Sequence, residues 1–293
     1  MTHLAQAVVL GLLYGGVYAL MASGLTLIFG VMNIINVAQG AFLILVAMVT
    51  WKMWELTGFD PILMSVFTAP AMFGFGWLLY RYVIVRVRGS SPSMTVLLTF
   101  GIALTIEGLL DVVAGNRFRS VTPSYFNDSF HLGPVDVPEI RAYGCLAAVV
   151  TLGLLYVVLT RTWTGRAIRA SAQNPAAASL VGIGASSVAA LAFALGVATA
   201  GVGGSILAVQ NSFFPASHYD WIARILGIIV LGGMGSLPGA VVGALTLGLA
   251  EALTQTYVSP RWATLMFYVV IVVVLLIRPQ GIFGTRLRED VAT

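Results

Sequence analysis

Long apolar runs, separated by short polar or charged segments, make up most of this chain. Two stretches, residues 1–51 and 170–219, contain no Asp, Glu, Lys or Arg. A single transmembrane helix needs about 20 apolar residues, so the first stretch must contain more than one span with a break inside it. The second stretch accommodates one span flanked by uncharged polar segments. The apolar runs predict spans at residues 5–30, 37–54, 61–80, 93–114, 142–160, 185–209, 222–239, 240–257 and 263–278.

The pattern therefore predicts an all-α polytopic membrane protein, with eight or nine transmembrane helices in a single domain of residues 1–293. Alternating strands of about ten residues, which a membrane β-barrel requires, are not seen. The composition agrees, since 59% of the residues are hydrophobic and 9% are charged, against about 25% charged residues in soluble domains. No Lys or Arg precedes the first apolar run, so this span is expected to be retained rather than cleaved as a signal peptide.

The arginines divide unevenly between the two sides of the predicted membrane. One set of loops carries nine arginines and two acids, whereas the other acids lie on the opposite side or in the spans leading to it. By the positive-inside rule the arginine-rich side is cytoplasmic, which places the C-terminus inside and, with nine crossings, the N-terminus outside. The net charge of +4 does not indicate nucleic-acid binding, because the arginines are scattered along the span edges. The cytoplasmic set is Arg81, Arg86, Arg88, Arg161, Arg166, Arg169, Arg278, Arg286 and Arg288, with Glu289 and Asp290; the outer set is Lys52, Arg117, Arg119, Arg141, Arg224 and Arg261.

The largest outer segment runs from residue 115 to residue 141 and contains Pro123, Pro134 and Pro138. Loops of this length are often functional. Two interpretations stay open: a docking surface for an extracytoplasmic partner, and an ordinary solvated connection.

A polar break interrupts the first long apolar run at residues 30–40. It holds three neutral amide side chains, Asn33, Asn36 and Gln39, directly after Met32. Unwound backbone at membrane depth must line a cavity or be buried in protein, so these residues are candidates for lining a translocation path. Asn33 and Asn36 would share one face if the segment were helical. Alternatively, the amides cap helix ends at a cytoplasmic turn.

A second break, at residues 232–239, is rich in glycine and contains Gly235, Ser236 and Pro238. Glycine permits close approach and unusual dihedral angles, while a proline suits the first turn of a helix. The Gly-Val-Met that begins at residue 30 resembles the Gly-Gly-Met that begins at residue 232. Interrupted segments at corresponding places in two halves indicate the central path of a transporter, here with a possible inverted repeat. A tight turn between adjacent spans would also explain these residues.

Three acidic residues lie inside apolar runs: Glu107, Asp111 and Glu251. Ionisable groups at membrane depth are costly and often functional. Pairing with Arg117 or Arg224 would give them a structural or gating role, and proton relay is the alternative. Glu251 is counted among the candidate path residues. No Lys or Arg lies in the core of a predicted span, so no buried cation is expected to hold an anionic substrate.

Sequence motifs of catalysis are absent from the chain. It contains no phosphate-binding glycine loop ending in Lys-Ser/Thr, no His-Glu-x-x-His motif and no nucleophile elbow. His3, His131 and His218 are far apart in sequence and are expected to be solvated in outer loops rather than to bind a metal. The lone Cys145 lies in an apolar run and is interpreted as a packing residue. Neither an enzymatic activity nor a metal site is therefore expected.

The most informative segment is residues 161–184, a basic stretch between two apolar runs on the predicted cytoplasmic side. Its first part consists of good helix formers that place two arginines on one face. An Asn-Pro pair then matches a helix N-cap and first turn, and a glycine matches a helix end. The segment is therefore predicted to form two short surface helices that contact either an attached protein or lipid phosphates. The residues that carry this prediction are Gly165, Arg166, Arg169, Asn174, Pro175 and Gly182.

Three motifs follow one another along the chain: GLTLIFG at 24–30 with NIINVAQG at 33–40, GRAIRA at 165–170 with ASLVGI at 178–183, and LGGMGSLPGA at 231–240. In these motifs, and nearly end to end, the chain resembles the permease subunits of ATP-binding-cassette importers of the branched-chain amino acid type. Similar permeases handle leucine, isoleucine and valine, but also urea, short amides and aromatic or aliphatic acids.

The resemblance implies a five-part system in the bacterial inner membrane: this chain, a homologous second permease, two cytoplasmic ATP-binding subunits and an extracytoplasmic solute-binding protein. ATP and Mg would be held by the partner ATPases, and this chain would hold no cofactor of its own. Residues 161–184 would be the coupling element that fits a groove on an ATPase subunit. An ion-coupled secondary transporter or channel is the alternative. The candidate path residues are Met32, Asn33, Asn36, Gln39, Gly235, Ser236 and Glu251.

Overall fold

The computed structural model describes residues 2–87, 91–133 and 135–284 of the chain. Several residues of the sequence-based argument lie outside these ranges. They are Arg88, Pro134, Arg286, Arg288, Glu289 and Asp290.

Helices account for most of the described chain. A π-helical turn (Tyr80–Ile84) joins α3 to α4, and two short 3-10 helices (Ser124–Asn127 and Pro215–Ser217) lie in the loops. One hairpin of two antiparallel strands, β1 (Ser129–Leu132) and β2 (Val135–Pro138), precedes α6. In chain order the helices are α1 (Thr2–Met32), α2 (Gln39–Thr57), α3 (Ser65–Leu79), α4 (Val85–Val87), α5 (Pro92–Ala114), α6 (Glu139–Arg161), α7 (Trp163–Gln173), α8 (Pro175–Leu180), α9 (Ala185–Gln210), α10 (His218–Gly232), α11 (Leu237–Tyr257) and α12 (Pro260–Ile277).

Seven of the helices in the described ranges are long and apolar enough to cross a membrane: α1, α2, α5, α6, α9, α11 and α12. Helix α3 has 15 residues, but the π-helical turn and α4 continue it without a break to residue 87. Helix α10 also has 15 residues and is not extended in this way at its C-terminal end. The predicted all-α polytopic architecture is confirmed.

One predicted span boundary is wrong. The sequence places a span at 222–239, whereas α10 ends at Gly232 and residues 237–239 belong to the next helix. The helix break itself falls within residues 232–239, where the glycine-rich sequence predicts it. The break occurs where Gly233 and Gly235 adopt positive φ angles of 99° and 84°.

Small residues allow the central helices to approach closely. Helix α9 packs against α1, α2 and α3, and a Cβ atom on Gly196 would lie 2.6 Å from the carbonyl oxygen of Gly24 in α1. Likewise, a Cβ atom on Gly248 of α11 would lie 2.6 Å from the carbonyl oxygen of Gly11 and from the amide nitrogen of Gly15. Gly11 and Gly15 form a Gly-x-x-x-Gly pattern, which is typical of membrane helix pairs. Helix backbones in close contact, as well as large apolar side chains, therefore form the core.

The two ends of the bundle are distinct. At the hairpin end, the side chain of Gln6 hydrogen-bonds the backbone N–H and carbonyl of Asp136 in β2. At the opposite end, which we call the α7 end, Ile168 of α7 belongs to an apolar cluster with Leu27 of α1, and Leu237 of α11 packs against this cluster. The hairpin was not predicted, because strands of four residues are too short to show a clear alternation. Of the predicted loop 115–141, the last residues already belong to α6.

Candidate functional site

The first polar break is present where the sequence predicts it. Helix α1 ends at Met32 and α2 begins at Gln39, with non-helical backbone between them. Asn33 is exposed and has a positive φ of 52°, whereas Asn36 and Gln39 are fully buried. Because the segment is not helical, Asn33 and Asn36 do not share a helix face.

The buried amides of this break make contacts across the bundle. The Gln39 side-chain NH₂ donates to the carbonyl of Gly196 in α9 at 3.0 Å. The Asn36 NH₂ donates to the Gln39 side-chain oxygen at 3.4 Å, and the Asn36 side-chain oxygen is buried without a hydrogen-bond partner among the described residues. The N-cap of α2 is Ala38, which makes no side-chain cap. The capping interpretation is therefore wrong for Asn36 and Gln39, and path lining stays a prediction.

The second break is a turn of four residues between α10 and α11. Ser236 is the N-cap of α11, since its hydroxyl accepts a hydrogen bond from the Gly239 amide at 3.1 Å, and a proline occupies the first turn as predicted. The two breaks touch: a Cβ atom on Gly30 would lie 3.2 Å from the carbonyl oxygen of Gly235. Gly235 is exposed and Ser236 is half-buried. The two breaks, which are similar in sequence, therefore also lie next to each other in the structure. An inverted repeat stays a prediction.

A buried ion pair lies where α1, α10, α11 and α12 meet. Arg224 of α10 contacts both carboxylate oxygens of Glu251 in α11 at 3.2 Å. The Tyr18 hydroxyl donates to Glu251 at 2.7 Å and accepts from Arg224 at 2.9 Å, and Arg224 also donates to Thr264 at 3.3 Å. The predicted pairing of an intramembrane acid with Arg224 is confirmed. Arg224 is half-buried near the start of α10 and is bonded to Glu251, so the expectation that no buried cation is available to hold an anionic substrate stays a prediction.

A second polar cluster joins α5 to the start of α10. His218 is buried, and its Nε2 lies 2.9 Å from a carboxylate oxygen of Glu107, which also accepts a hydrogen bond from the Tyr219 hydroxyl at 3.2 Å. The prediction that His218 is solvated is therefore wrong. Glu107 pairs with this histidine and not with Arg117. The error arises because α10 begins inside the bundle, whereas its sequence position resembles the end of a loop.

Sequence reasoning missed Tyr18, His218 and Tyr219 as members of these clusters. The available signal was the run of polar and aromatic residues at 218–221, directly before an apolar stretch. Their partners lie more than 100 positions away in sequence. Among the described residues, no group of three His, Cys, Asp or Glu is arranged to hold a metal ion.

The predicted pair of short surface helices is confirmed as α7 and α8. The Asn174 side-chain oxygen accepts from the Ala177 amide at 3.0 Å, with Pro175 in the first turn. Gly182 has a φ of 83°, and the amide of the next residue bonds the carbonyl of Ala178. The two arginines on α7, Arg166 and Arg169, are exposed on the surface of the bundle at the α7 end. A Cβ atom on Gly165 would overlap backbone atoms of α6, so only glycine permits this close contact.

Comparison with known proteins shows what the chain is similar to. Residues 7–275 match a family model described as branched-chain amino acid transport system / permease component. The high-affinity branched-chain amino acid transport system permease protein LivH of Escherichia coli (strain K12) is 29% identical over 94% of this chain and 93% of that protein. The corresponding permease BraD of Pseudomonas aeruginosa is 27% identical over 96% of each chain.

A further relative, the permease protein LivM of Salmonella typhimurium, is 28% identical over 47% of this chain and 33% of its own length. No solved structure matches the chain. The family match covers most of the chain, and the helices are those of a polytopic membrane protein. This chain therefore belongs to the family of branched-chain amino acid transport system permease components.

Proposed function

We propose that this chain is the membrane permease subunit of an ATP-driven importer, which carries a branched-chain amino acid or a related small solute delivered by a solute-binding protein. Its partners are a homologous second permease subunit, two cytoplasmic ATP-binding subunits and the binding protein. ATP and Mg²⁺ are held by the ATP-binding subunits. The assembly lies in a bacterial inner membrane with the C-terminus of this chain in the cytoplasm. Similarity to both LivH and LivM supports a pair of related permeases.

The observation that carries this proposal is the α7–α8 element at one end of the bundle. Beyond its two exposed arginines, it presents Leu180 and Val181 with 88% and 76% of their surface exposed. Exposed apolar side chains on a rigid, capped helix pair fit a preformed protein groove. A protein partner in contact with these residues is therefore favoured, although lipid phosphates would bind the same arginines.

The α7–α8 element is connected to both breaks through the core. Ile168 of α7 packs in a cluster with Leu27 of α1, and Leu237 of α11 lies against it. Leu27 lies five residues before the end of α1, where the non-helical backbone of the first break begins. Leu237 is the first residue after the turn of the second break. Motion of α7 and α8 is thus transmitted to the C-terminal end of α1 and to the N-terminal end of α11, which border the two breaks. ATP-dependent closure of the ATPases would switch the path between inward-facing and outward-facing states by this route.

The translocation path is proposed to follow the two breaks. Its neutral amides offer donors and acceptors without a net charge, which suits a small polar or zwitterionic solute. Urea, a short amide, or an organic or aromatic acid would be accommodated by the same groups and is the alternative substrate class. The proposed path residues remain Met32, Asn33, Asn36, Gln39, Gly235, Ser236 and Glu251.

Docking is tested with Val181→Glu, compared with Val258→Glu as a matched control. Val258 is similarly exposed but lies after α11, at the opposite end of the bundle. We expect the Val181 variant to lose its ATP-binding subunits on co-purification of the complex and to lose ATP-driven uptake. The control should retain the ATP-binding subunits. Full retention of the ATPases by Val181→Glu would show that the element contacts lipid instead.

The coupling residues are tested together by substituting Gly165, Arg166 and Arg169. We expect ATP hydrolysis to become uncoupled from uptake in this triple variant. Wild-type coupled uptake would contradict the proposed role of these residues. Uptake that requires only an ion gradient, with no ATP-binding subunit present, would instead support a secondary transporter.

A further inference from the structure

A π-helical turn interrupts the continuous helix that runs from α3 to α4. It covers Tyr80–Ile84 and is the one π-helical segment in the described part of the chain. Turns of this kind are rare, and they occur frequently at functional sites. Neither the proposed path residues nor the α7–α8 element lies in this turn, so the transport function proposed for the chain leaves it unexplained.

A cleft of about 450 Å³ lies between this turn and the beginning of α9. Its lining combines apolar surface with several hydrogen-bond donors, among them the guanidinium group of Arg81. A ligand that fills the cleft must therefore have both an apolar part and a polar part. The apolar lining residues are Trp77, Val85, Ala190 and Leu191, and the polar ones are Tyr80, Arg81, Tyr82, Ser186 and Ser187.

The cleft lies at the level of the membrane surface, at the α7 end of the bundle. Ser187 is the third residue of α9, and the next residue, Val188, belongs to the same apolar cluster as Ile168 of α7. On the other side of the cleft, Trp77 and Tyr82 are 37% and 54% exposed. Exposed Trp and Tyr side chains concentrate at the headgroup level of a membrane. A lipid headgroup is therefore the ligand that this position makes available.

The charge of Arg81 is not balanced by the described residues. Arg81 is exposed, its guanidinium carbon lies 5.4 Å from the ring centroid of Trp77, and it forms no salt bridge within the described ranges. The same is true of the other described arginines on the predicted cytoplasmic side. Anions from outside the described chain must therefore compensate this end of the bundle. These other arginines are Arg86, Arg161, Arg166, Arg169 and Arg278.

We propose that this cleft binds the phosphate headgroup of an anionic phospholipid from the leaflet at the α7 end. Arg81 donates charge-assisted hydrogen bonds to the phosphate oxygens, and the hydroxyl groups of Ser186 and Ser187 donate further ones. The upper part of an acyl chain then lies on Trp77 and Leu191. A free phosphate ion would leave this apolar lining uncovered, so the lining favours a lipid. The site does not depend on the proposed transport function.

Photo-crosslinking in vesicles tests the lipid site. The full chain, purified with its bound subunits, is placed in phosphatidylcholine vesicles that contain a minor amount of diazirine-labelled phosphatidylglycerol or of equally labelled phosphatidylcholine. Labelling of residues 77–85 and 186–191 is measured by mass spectrometry. We expect phosphatidylglycerol to label the cleft about fivefold more, the factor that one basic residue near an anionic lipid contributes. Arg81→Gln should abolish this preference, whereas Arg278→Gln, an exposed arginine outside the cleft, should preserve it.

A second variant separates lipid recognition from folding. Gly184, the N-cap of α9, makes no side-chain cap, and a carboxylate in the first turn of a helix is stabilising. Ser187→Asp should therefore keep or raise the unfolding temperature while its charge repels the phosphate. We expect it to lose the preference for phosphatidylglycerol, and the neutral control Ser187→Asn to keep most of it. An undiminished preference in Ser187→Asp would overturn the proposal.

Three results with the wild-type protein would also overturn the lipid site. Equal labelling by the two lipids would show that the cleft does not recognise the headgroup. Absence of labelling by either lipid would show that a protein covers the cleft. Loss of labelling on addition of inorganic phosphate, but not of sodium chloride at the same ionic strength, would show that the cleft binds a free phosphate ion. None of these results would bear on the permease function.

Discussion

The buried pair of Arg224 and Glu251 provides the most quantitative prediction. Only 17% of the Arg224 side chain and 8% of the Glu251 side chain are exposed, and the Tyr18 hydroxyl bonds both of them. Removing one member of a buried pair leaves the other charge without a partner, which typically costs 3–5 kcal/mol. We therefore expect Arg224→Met and Glu251→Leu, taken singly, each to lower the free energy of unfolding by about 3–5 kcal/mol.

The combined variants separate the charge from the packing. Arg224→Met with Glu251→Leu removes both charges and fills their space with apolar atoms, a replacement that is often neutral or stabilising. The Tyr18 hydroxyl would then be buried without a partner, at a cost of about 1–3 kcal/mol. Adding Tyr18→Phe removes this remaining cost. The triple variant should therefore unfold within about 1 kcal/mol of the wild type.

The assay is reversible unfolding in mixed micelles, followed by the helical circular dichroism signal. Additive losses, in which the double variant is as unstable as the sum of the single variants, would refute a coupled pair. Losses below about 1 kcal/mol in both single variants would show that water reaches the pair and screens it. Uptake measured on the stable triple variant then tests the path role of Glu251, because lost transport at normal stability would show that the carboxylate itself is needed.

Three further predictions concern local geometry. Gly248→Ala should destabilise the protein by about 1–3 kcal/mol in thermal unfolding, because the added methyl group overlaps the α1 backbone. The control, Gly101→Ala, has open space around it in its helix and should be neutral or slightly stabilising. Equal effects of the two substitutions would contradict the close packing of α11 on α1. Asn174→Ala should cost about 1 kcal/mol through the lost cap, seen as faster amide hydrogen exchange in α8, with unchanged exchange as the contrary result. Asn33→Gly should raise the unfolding temperature, because glycine adopts the observed positive φ without strain; a lower temperature would show that the Asn33 side chain makes a stabilising contact.

Much of the fold follows from local patterns that a single sequence displays. The apolar runs predict the membrane helices, since any segment in lipid must satisfy its backbone hydrogen bonds internally. The α7–α8 element is predicted equally well, because Asn174, Pro175 and Gly182 act on neighbouring backbone groups only. The break near Asn33 is visible for the same reason, as polar amides interrupt an otherwise apolar run.

Only the tertiary structure determines how deeply a residue lies in the bundle and which polar side chains contact each other. His218 resembles a loop residue in the sequence, yet it is buried because α10 begins beside α2 and α5 rather than at the membrane surface. Arg224 and Glu251 are 27 positions apart, and Tyr18 is 233 positions from Glu251. Hydropathy reports how apolar a segment is and carries no information on which helices become neighbours. The close glycine contacts of α1, α9 and α11 determine those neighbours, and so they bring the charged groups together.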